Sequence, residues 1–423
     1  MQAKHVIRRW WFWALSIVVL TACLTLAVSI HTARADEAEL KVQLSLARAE
    51  GIPTNAAEFE AMIPQAASAE NAALLYERLH GKVSWKETVQ IAADNDLLFS
   101  TTPKNIAAAE ALLGSRREAL ALVDQAVRLP KCRFDRDWSQ GYAVRLPEYS
   151  EMKKAATLVL LRGSVAAVHG DPNGAIRNCQ ELFAVANHLR QEPMLIAHLA
   201  ADSIDGMAVR HLAILAFLNR HEAPYAAALK RAVEGLPVPN LEQEHLADLS
   251  SMLTTLQICS TPEGFAKFGL QKGDVSAMEP IAPFIHNRRR ATLRIVRAER
   301  AYWRALRLPD AERKWELAKC TDDINQALIA WPTCASYHNM FANDSNGGVT
   351  NRLRHWEAQH QESIALVRAL STDEIPHSIE TQDLKSPYDG KPLSYRFDGK
   401  QIVIKVSGYG DGTYKSRLTI PPS

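Results

Sequence analysis

Three patterns of apolar and polar positions follow one another along the chain. Residues 10–30 form an almost unbroken apolar run, and from about residue 36 to residue 370 apolar side chains recur every three or four positions. Beyond about residue 390 they alternate with polar side chains on both sides of Asp398-Gly399, with a third candidate strand at residues 414–420. Spacing of three and four is typical of amphipathic helices, and alternation is typical of strands. The sequence therefore predicts a mainly α protein that ends in a small antiparallel β-hairpin module.

The change of pattern also predicts where the domains begin and end. Residues 1–35 are interpreted as a membrane anchor or signal peptide, residues 36–370 as one helical domain, and residues 371–423 as the small β module. Two strands alone are only marginally stable in water, so we expect the β module to pack on a helix or on the helical body.

Helix start signals divide the long helical region. Asn55-Ala56-Ala57-Glu58 has the form of a capping box, in which two residues three positions apart bond each other's backbone. Thr102-Pro103 and Asp171-Pro172 each place a cap residue directly before a proline at the first helical position. These signals predict separate helices of ordinary length rather than one long coiled coil.

One pair of predicted helices is especially clear. Residues 148–169 and 173–191 are joined by a turn at Gly170, and the pair resembles one tetratricopeptide (TPR) unit. The 34-residue period of such units does not repeat cleanly elsewhere. The sequence therefore leaves two organisations open. One is an irregular helical-hairpin bundle, and the other is a short TPR-like array with a concave binding surface.

The N-terminal apolar run predicts a membrane partner. Lys4, Arg8 and Arg9 precede it, and positive residues before such a run keep that end in the cytoplasm. Residues 10–30 are long enough to span a bilayer as a helix. The sequence thus predicts a single-pass inner-membrane anchor at residues 10–30, with the bulk of the chain extracytoplasmic in the cell envelope.

Two forms of processing are alternatives to this anchor. Ala33-Arg34-Ala35 has the A-x-A form of a signal-peptide cleavage site, which predicts secretion after cleavage at Ala35. Leu20-Thr21-Ala22-Cys23 resembles the lipidation box of a bacterial lipoprotein.

Composition excludes two classes of protein. The chain has 423 residues, 47% hydrophobic and 23% charged, with a formal net charge of +2. These values exclude a disordered chain. They also give no overall positive field, so no nucleic acid partner is predicted.

The cysteines support an extracytoplasmic compartment only weakly. Outside the apolar run the chain has five, none in a C-x-x-C pair, which leaves zinc and thioredoxin-type sites without their signature. An oxidising compartment permits one or two disulfides. Cys132 and Cys179 are the first candidate pair, although nothing in the sequence fixes the connectivity.

Common catalytic motifs are missing from the sequence. It contains no G-x-G-x-x-G, no P-loop, no H-E-x-x-H and no G-x-S-x-G. We therefore predict no catalytic residue and no cofactor, and expect an interaction protein more than an enzyme.

One polar stripe has the chemistry of a metal site. His198, Asp202 and Asp205 fall within about 60° of one another on a predicted helix. An imidazole and two carboxylates can bind a divalent metal ion. A metal-dependent envelope hydrolase is therefore one alternative, and a hydrogen-bonded polar patch or an ion pair between helices is the other.

A basic helix near residues 286–307 is a candidate anion-binding surface. It contains eight arginines and a single acid, Glu299, and its apolar residues cluster on the other side. The candidate ligands of an anionic envelope polymer or lipid headgroup are Arg290, Arg294, Arg297 and Arg304. The alternative is a solvated face that is partly neutralised by nearby acids such as Glu312 and Glu316.

The C-terminal segment resembles a known family. Ser386-Pro387-Tyr388-Asp389-Gly390-Lys391-Pro392-Leu393 and the strands after it are similar to the end of a family of uncharacterised bacterial envelope proteins. That family has an N-terminal membrane segment, a helical, TPR-like body and a closing D-P-[FY]-x-G-K-P-L-x-Y-[RK] motif, in which Ser386 replaces the usual Asp. Glu70-Asn71-Ala72-Ala73 and the Gly170-Asp171 hairpin are similar to further family features. The resemblance implies an architecture and no particular chemistry.

The same motif resembles the D-P-W-G-x-P-Y-x-Y ending of type II secretion pseudopilins. A pseudopilin-like assembly component is therefore another alternative, although the pseudopilin leader is absent and only Asp411 is present in the loop where those proteins bind calcium. Our leading hypothesis is a membrane-tethered helical protein that binds a protein partner or an anionic envelope polymer.

Overall fold

The computed structural model describes most of the chain as helices. The described residues are 2–84, 86, 98, 102–219, 223–258, 288–309, 312–313, 315–317, 319–320, 348–371, 375–379, 381–398, 401–409 and 412–419. They fall into two compact units, of which unit 1 comprises residues 1–61, 138–143 and 249–348, and unit 2 the remainder. Each unit is built from segments that are not consecutive. The domain boundaries expected at residues 35 and 370 stay predictions.

The helices and strands are numbered in chain order. The helices are α1 (Gln2–Ala49), α2 (Ala56–Met62), α3 (Ala73–Glu77), α4 (Pro103–Ser115), α5 (Arg117–Ala126), α6 (Pro147–Val168), α7 (Pro172–Leu189), α8 (Leu195–Leu218), α9 (Ala223–Glu234), α10 (Leu241–Ile258), α11 (Arg288–Leu306) and α12 (Gly348–Leu370). Two short 3₁₀ helices cover Ser68–Glu70 and Trp138–Ala143, and the strands are β1 (Ser394–Phe397), β2 (Gln401–Tyr409) and β3 (Gly412–Thr419). The predicted mainly α fold with a small antiparallel sheet is confirmed.

In unit 1, α1 packs against α11. The apolar side of α11 is buried as its sequence pattern predicted, with Ile295, Val296 and Trp303 each at most 3% exposed. The Trp303 indole Nε1 also donates a hydrogen bond to the carbonyl oxygen of Glu50, at the end of α1. An amphipathic helix is thus anchored along one face, as its pattern requires.

The predicted membrane anchor is wrong. In the described part of the chain, no helix combines the length and the apolar character that crossing a bilayer requires. Residues 10–30 are instead one part of the 48-residue helix α1, whose sequence carries charged residues before and after them. Membrane attachment through residues 10–30 and single-pass inner-membrane localisation are both overturned by this finding.

Unit 2 is organised around α6. This helix contacts α3, α4, α5, α7 and α8, and residues on all its sides are buried as a result. Helix α7 packs in turn against α8 and α9, and α8 packs against α9. Consecutive helices therefore pack as antiparallel hairpins, as the spacing of stop and start signals predicted.

The local signals of the hairpin formed by α6 and α7 are confirmed. Gly170 has φ of +73°, a left-handed conformation that glycine adopts at low cost and that ends α6. The Asp171 side chain accepts a hydrogen bond of 2.8 Å from the backbone of Gly174 and caps α7. Thr102 caps α4 in the same way. Only half of the predicted capping box forms, because Asn55 accepts from the Glu58 backbone while the Glu58 carboxylate accepts from the Thr54 backbone instead of the Asn55 backbone.

The C-terminal sheet has the strand order β1-β2-β3, and both strand pairs are antiparallel. Tyr395 pairs with Ile404 and Phe397 with Ile402, so the predicted alternation brings the apolar side chains to one face. Ile402, Ile404 and Val406 are at most 1% exposed and belong to the core shared with α6 to α8. The sheet is thereby packed on the helical body, as expected. Gly399 lies outside the described residues.

The Pro-Tyr-Asp-Gly-Lys-Pro segment forms a turn that is tied to β2. Ser386 is 2% exposed, and its hydroxyl donates to the Ser407 carbonyl at 2.6 Å and accepts from the Tyr388 backbone at 3.1 Å. Asp389 accepts from the Ser407 hydroxyl and from the Lys391 backbone. Serine thus makes the backbone contacts expected of an Asp or Ser at a turn.

Candidate interaction surface

Helix α8 exposes large apolar residues to solvent near both of its ends. Its most exposed large apolar residues are Ile196, Leu199 and Leu218, at 49%, 41% and 38%. Most exposed and half-buried residues of α8 recur at helical spacing, and at about 100° per residue they fall within an arc of about 120°, with Leu195 and Asp202 outside it. We call the set within this arc the outward face of α8. Its exposed residues are Ile196, Leu199, Gly206, Arg210 and Leu218, and its half-buried residues are Ala200, Ser203, Met207, Ile214 and Phe217.

The opposite side of α8 is buried in the core. Ala197, Ala201, Ile204 and Ala208 have no exposed surface, because α8 packs against α6, α7 and α9. A helix with apolar residues on both sides normally lies inside a protein. Helix α8 has apolar residues on both sides, but only one of these sides is buried.

Helix α7 has an outward face of the opposite character. Its exposed residues are Asn173, Arg177, Gln180 and Asn187, all of them polar, while Ile176 and Phe183 on the same side are half-buried against the core. Neighbouring helices of the same unit therefore present solvent with different chemistry. Polar outward faces are the usual pattern for surface helices, and the exposed apolar residues of α8 depart from that pattern.

The residues of the predicted metal site bind an arginine instead. Arg190, at the end of α7, contacts Asp202 at 2.9 Å and also forms an ion pair with Asp205. The Nε2 of His198 donates to the Glu192 carbonyl at 3.0 Å. The described residues contain no group of histidine, cysteine and carboxylate side chains that could hold a metal ion. The two carboxylates that the metal prediction assigned to an ion are thus already paired with Arg190.

Burial has the largest effect on the pKa of Asp205 in this ion pair. Asp205 is 5% exposed, and burial raises its pKa to about 6, although the Arg190 guanidinium offsets part of the increase. This arrangement is the ion pair between helices that the sequence analysis gave as the alternative to a metal site. It fixes the start of α8 against the end of α7.

A second buried ionic cluster holds the turn between α7 and α8. Arg136 donates to Glu192 at 3.1 Å and to Glu148 at 2.8 Å, and the Tyr149 hydroxyl donates to Glu192 at 2.9 Å. The guanidinium also lies 4.7 Å from the ring centroid of Phe134. Burial raises the pKa of Glu192, and Arg136 counteracts that rise. The sequence analysis missed this cluster, because its members are separated by up to 56 positions.

The predicted disulfide is not formed. Cys132 and Cys179 are both free and buried, and burial raises the pKa of each thiol. The Cys132 backbone is bonded to Gln191, just past the end of α7, whereas Cys179 lies about 12 positions earlier, which corresponds to about 18 Å along a helix. A disulfide needs Cα atoms within about 7 Å, which explains why the two thiols stay apart.

The basic helix α11 is neutralised by α1. Arg297 contacts Glu39 at 2.7 Å, and Arg300 and Arg304 contact Glu50 at 2.5 and 2.6 Å. These hydrogen bonds lower the pKa of Glu39 and of Glu50. Two of the four predicted anion ligands, Arg297 and Arg304, are thus already bound to carboxylates, which corrects the idea of an open arginine surface. Arg294 is half-buried, and the Arg290 side chain lies outside the described residues.

Comparison with known proteins finds no match for this chain. No family model matches the chain, and neither a curated protein nor a solved structure matches it. The resemblance of the C-terminal segment to envelope proteins and to pseudopilins therefore stays a prediction. The outward face of α8 exposes Ile196, Leu199 and Leu218 to solvent, and α1 exposes a larger set of apolar residues that includes Trp13, Ile17 and Leu20.

Proposed function

We propose that this chain is a protein-interaction module rather than an enzyme, and that it binds a helical segment of a protein partner on the outward face of α8. The observation that carries the proposal is the exposure of Ile196, Leu199 and Leu218 on a helix whose opposite side is buried. Exposed apolar surface is unfavourable in water, and contiguous patches of it commonly mark interaction sites.

The way α8 is held favours this role. The Arg190 ion pairs and the Arg136 cluster fix the first turns of α8, and three neighbouring helices cover its buried side. A binding surface on such a helix is preorganised, so little conformational entropy is lost when a partner docks. Rigid elements also position contact residues more accurately than loops do.

The chemistry of the outward face favours a helix as the bound element. Ser203 and Gly206 are small and lie in the middle of the stripe, where they allow a second helix to approach closely. Ile196 and Leu218 are separated by about 33 Å at the rise of an α-helix, which matches some six turns of a partner. Amphipathic helices bind such grooves through apolar residues at positions i, i+3, i+4 and i+7.

The same face does not suit an anionic polymer. Arg210 is its single charged residue, so its electrostatic attraction for a polyanion is small. The arginines of α11 that suggested a polyanion are partly bound to Glu39 and Glu50. A protein partner is therefore the better-supported ligand.

Site-specific photo-crosslinking in the cells that naturally make the chain tests this function. p-Benzoylphenylalanine is placed at Leu199 on α8 and, as a matched control, at Gln180 on the outward face of α7. The proposal predicts a discrete protein adduct at position 199 that is weak or missing at position 180. It also predicts that Ile196→Glu together with Leu218→Glu removes the adduct at 199. Equal adducts at both positions, or none at 199, would overturn it.

A further inference from the structure

We propose that the C-terminal sheet binds an acidic segment of a protein partner on the side opposite its buried apolar residues. The basic residues on that side are Arg396, Lys405, Lys415 and Arg417. We call that side the basic sheet face. It is a second surface of the chain, so this proposal does not depend on the one for α8.

The strand register brings all four basic residues to one face. In an antiparallel sheet, directly paired residues share a face, and successive residues of one strand alternate between the two faces. The core residues of β2 have even numbers, so its odd residues belong to the other face. Val403 pairs with Arg396 on β1 and with Arg417 on β3. Lys405 pairs with Lys415 on β3, which places the fourth basic residue on the same face.

The charge of this face is not balanced within the sheet. The three strands contain these four basic residues and no aspartate or glutamate. Arg396 and Lys405 are exposed, and no carboxylate in the described part of the chain pairs with either. Asp389 reaches one end of the face, where it accepts from the Ser407 hydroxyl at 2.9 Å, but it also lies 3.3 Å from the Lys391 ammonium. The face therefore carries uncompensated positive charge.

The pairing of Lys405 with Lys415 is unfavourable for folding. Like charges directly opposite each other on neighbouring strands destabilise a sheet. A pair that served folding alone would be neutral or oppositely charged. An anionic ligand that lies across both positions would replace this repulsion with attraction, which supports a binding role.

The spread of the charges favours a ligand with several anionic groups. The backbones of Arg396 and Arg417 are two strand spacings apart, about 10 Å, and Lys405 lies one row further along the sheet, about 7 Å away. Spacing of this kind suits several anionic groups better than a single one. In an extended peptide, alternate side chains on one side are also about 7 Å apart. An extended segment with acidic residues at alternate positions therefore fits the face.

The face lacks the features of a nucleic-acid platform. Sheets that bind single strands stack the bases on aromatic side chains. Between Gln401 and Ser407, the positions of this face and their partners hold the four cations, Val403 and uncharged polar residues, and none of them is aromatic. Backbone N–H groups, which commonly hold phosphates, are used by the strand ladder here. Carboxylates of a protein are therefore favoured over a polynucleotide.

Fluorescence anisotropy of the purified full chain with a labelled peptide of alternating Glu and Thr tests the proposal. Wild type should bind the peptide at low salt and lose it as ionic strength rises. Arg396→Glu together with Lys405→Glu should weaken binding at least about tenfold. The matched control is Lys104→Glu together with Arg128→Glu, at exposed positions of the helical body, which changes the net charge equally and should bind as wild type does. No binding by wild type, or an equal loss in both double variants, would overturn the proposal.

Stability measurements separate binding from folding. Lys405→Glu alone places a carboxylate opposite Lys415, so the midpoint of thermal denaturation should stay equal or rise while peptide binding falls. Arg396→Lys keeps the charge and should bind as wild type does. Loss of binding together with a lower midpoint in Lys405→Glu would contradict the account of this pair.

Two further probes test the class of ligand. A peptide of alternating Gln and Thr has the same spacing without the charge, and a uridine oligonucleotide of equal charge presents phosphates instead of carboxylates. We expect the Glu peptide to bind more tightly than either probe. Equal binding of the Gln peptide would show that charge is not recognised, and tighter binding of the oligonucleotide would refute an acidic protein segment as the ligand.

Discussion

Helices α7 and α8 are neighbours in one unit, and they differ in what they show to solvent. Both bury one side completely, with Leu182 and Leu189 on α7 and Ile204 on α8 at 0% exposure. The exposed residues on the outward side of α7 are polar, whereas Ile196 and Leu199 on the outward side of α8 are exposed to solvent. Folding alone explains the buried sides. On the other side of α8, Met207, Ile214 and Phe217 still pack against the core, whereas Ile196, Leu199 and Leu218 leave apolar surface in solvent, which is why we assign these three to binding.

The first prediction removes the support that positions the turn between the two helices. Arg136→Leu leaves Glu192, which is 2% exposed, without its cation. Removing one partner of a buried ion pair typically lowers the free energy of unfolding by about 3–5 kcal/mol. Urea denaturation followed by circular dichroism measures the change. The matched control is Arg177→Leu on the outward face of α7, expected within about 0.5 kcal/mol of wild type; similar values for both variants would contradict the role of the cluster.

The second prediction concerns the pH dependence of the contact between α7 and α8. Because the pKa of Asp205 is about 6 in the folded chain and about 3.8 when unfolded, the folded state holds the extra proton between these values. The contribution of Asp205 to the free energy of unfolding is therefore largest below about pH 4 and is lost as pH rises to about 6, by at most about 1.4 kcal/mol per pH unit.

The variant Asp205→Asn removes this titration. Denaturation of wild type and Asp205→Asn at several pH values should give curves whose difference changes between about pH 4 and 6 and is constant above that window. A difference that does not depend on pH would show that Asp205 keeps its ordinary pKa and that the ion pair with Arg190 outweighs burial.

The third prediction tests the start of α7. Asp171→Ala removes the side-chain cap on the Gly174 backbone and should lower the free energy of unfolding by about 1 kcal/mol. Asp171→Asn retains an acceptor oxygen and should restore most of that loss. Thermal denaturation compares the two variants, and an equal loss in both would assign the effect to charge instead of capping.

The fourth prediction, with the smallest effect on stability, exchanges the outward faces. Leu199→Gln makes α8 resemble α7, and Gln180→Leu makes α7 resemble α8. Both residues are exposed, so each variant should keep its free energy of unfolding within about 0.5 kcal/mol of wild type. Chemical crosslinking in the cells that naturally make the chain should show a partner adduct weakened only by Leu199→Gln. Destabilisation by Leu199→Gln well beyond that range would mean that Leu199 is needed for folding.

Local signals were sufficient for much of the fold. The cap at Asp171, the Gly170 turn and the alternation in β1 and β2 each depend on a few consecutive residues, and each prediction is confirmed. Contacts between distant residues were not accessible to this reasoning. Arg297 and Glu39 are 258 positions apart, and no pattern in either segment indicates that they meet.

The candidate surface was only partly visible in the sequence. Helical spacing placed His198, Asp202 and Asp205 on one stripe, but it could not show that Arg190, outside that helix, binds both carboxylates. The apolar residues on two sides of α8 were a usable signal of an additional contact. Which side stays open depends on how α6, α7 and α9 pack, and that is a property of the folded chain.

Thiol labelling of Leu199→Cys and Gln180→Cys tests the central claim most directly. Labelling of each position is measured by peptide mass spectrometry, in intact cells and in the dilute purified chain. We predict similar rates for the two positions in the dilute chain, and at least about tenfold slower labelling of position 199 than of position 180 in cells, because a partner covers it. Equal rates in cells would contradict the claim that the outward face of α8 is a binding surface.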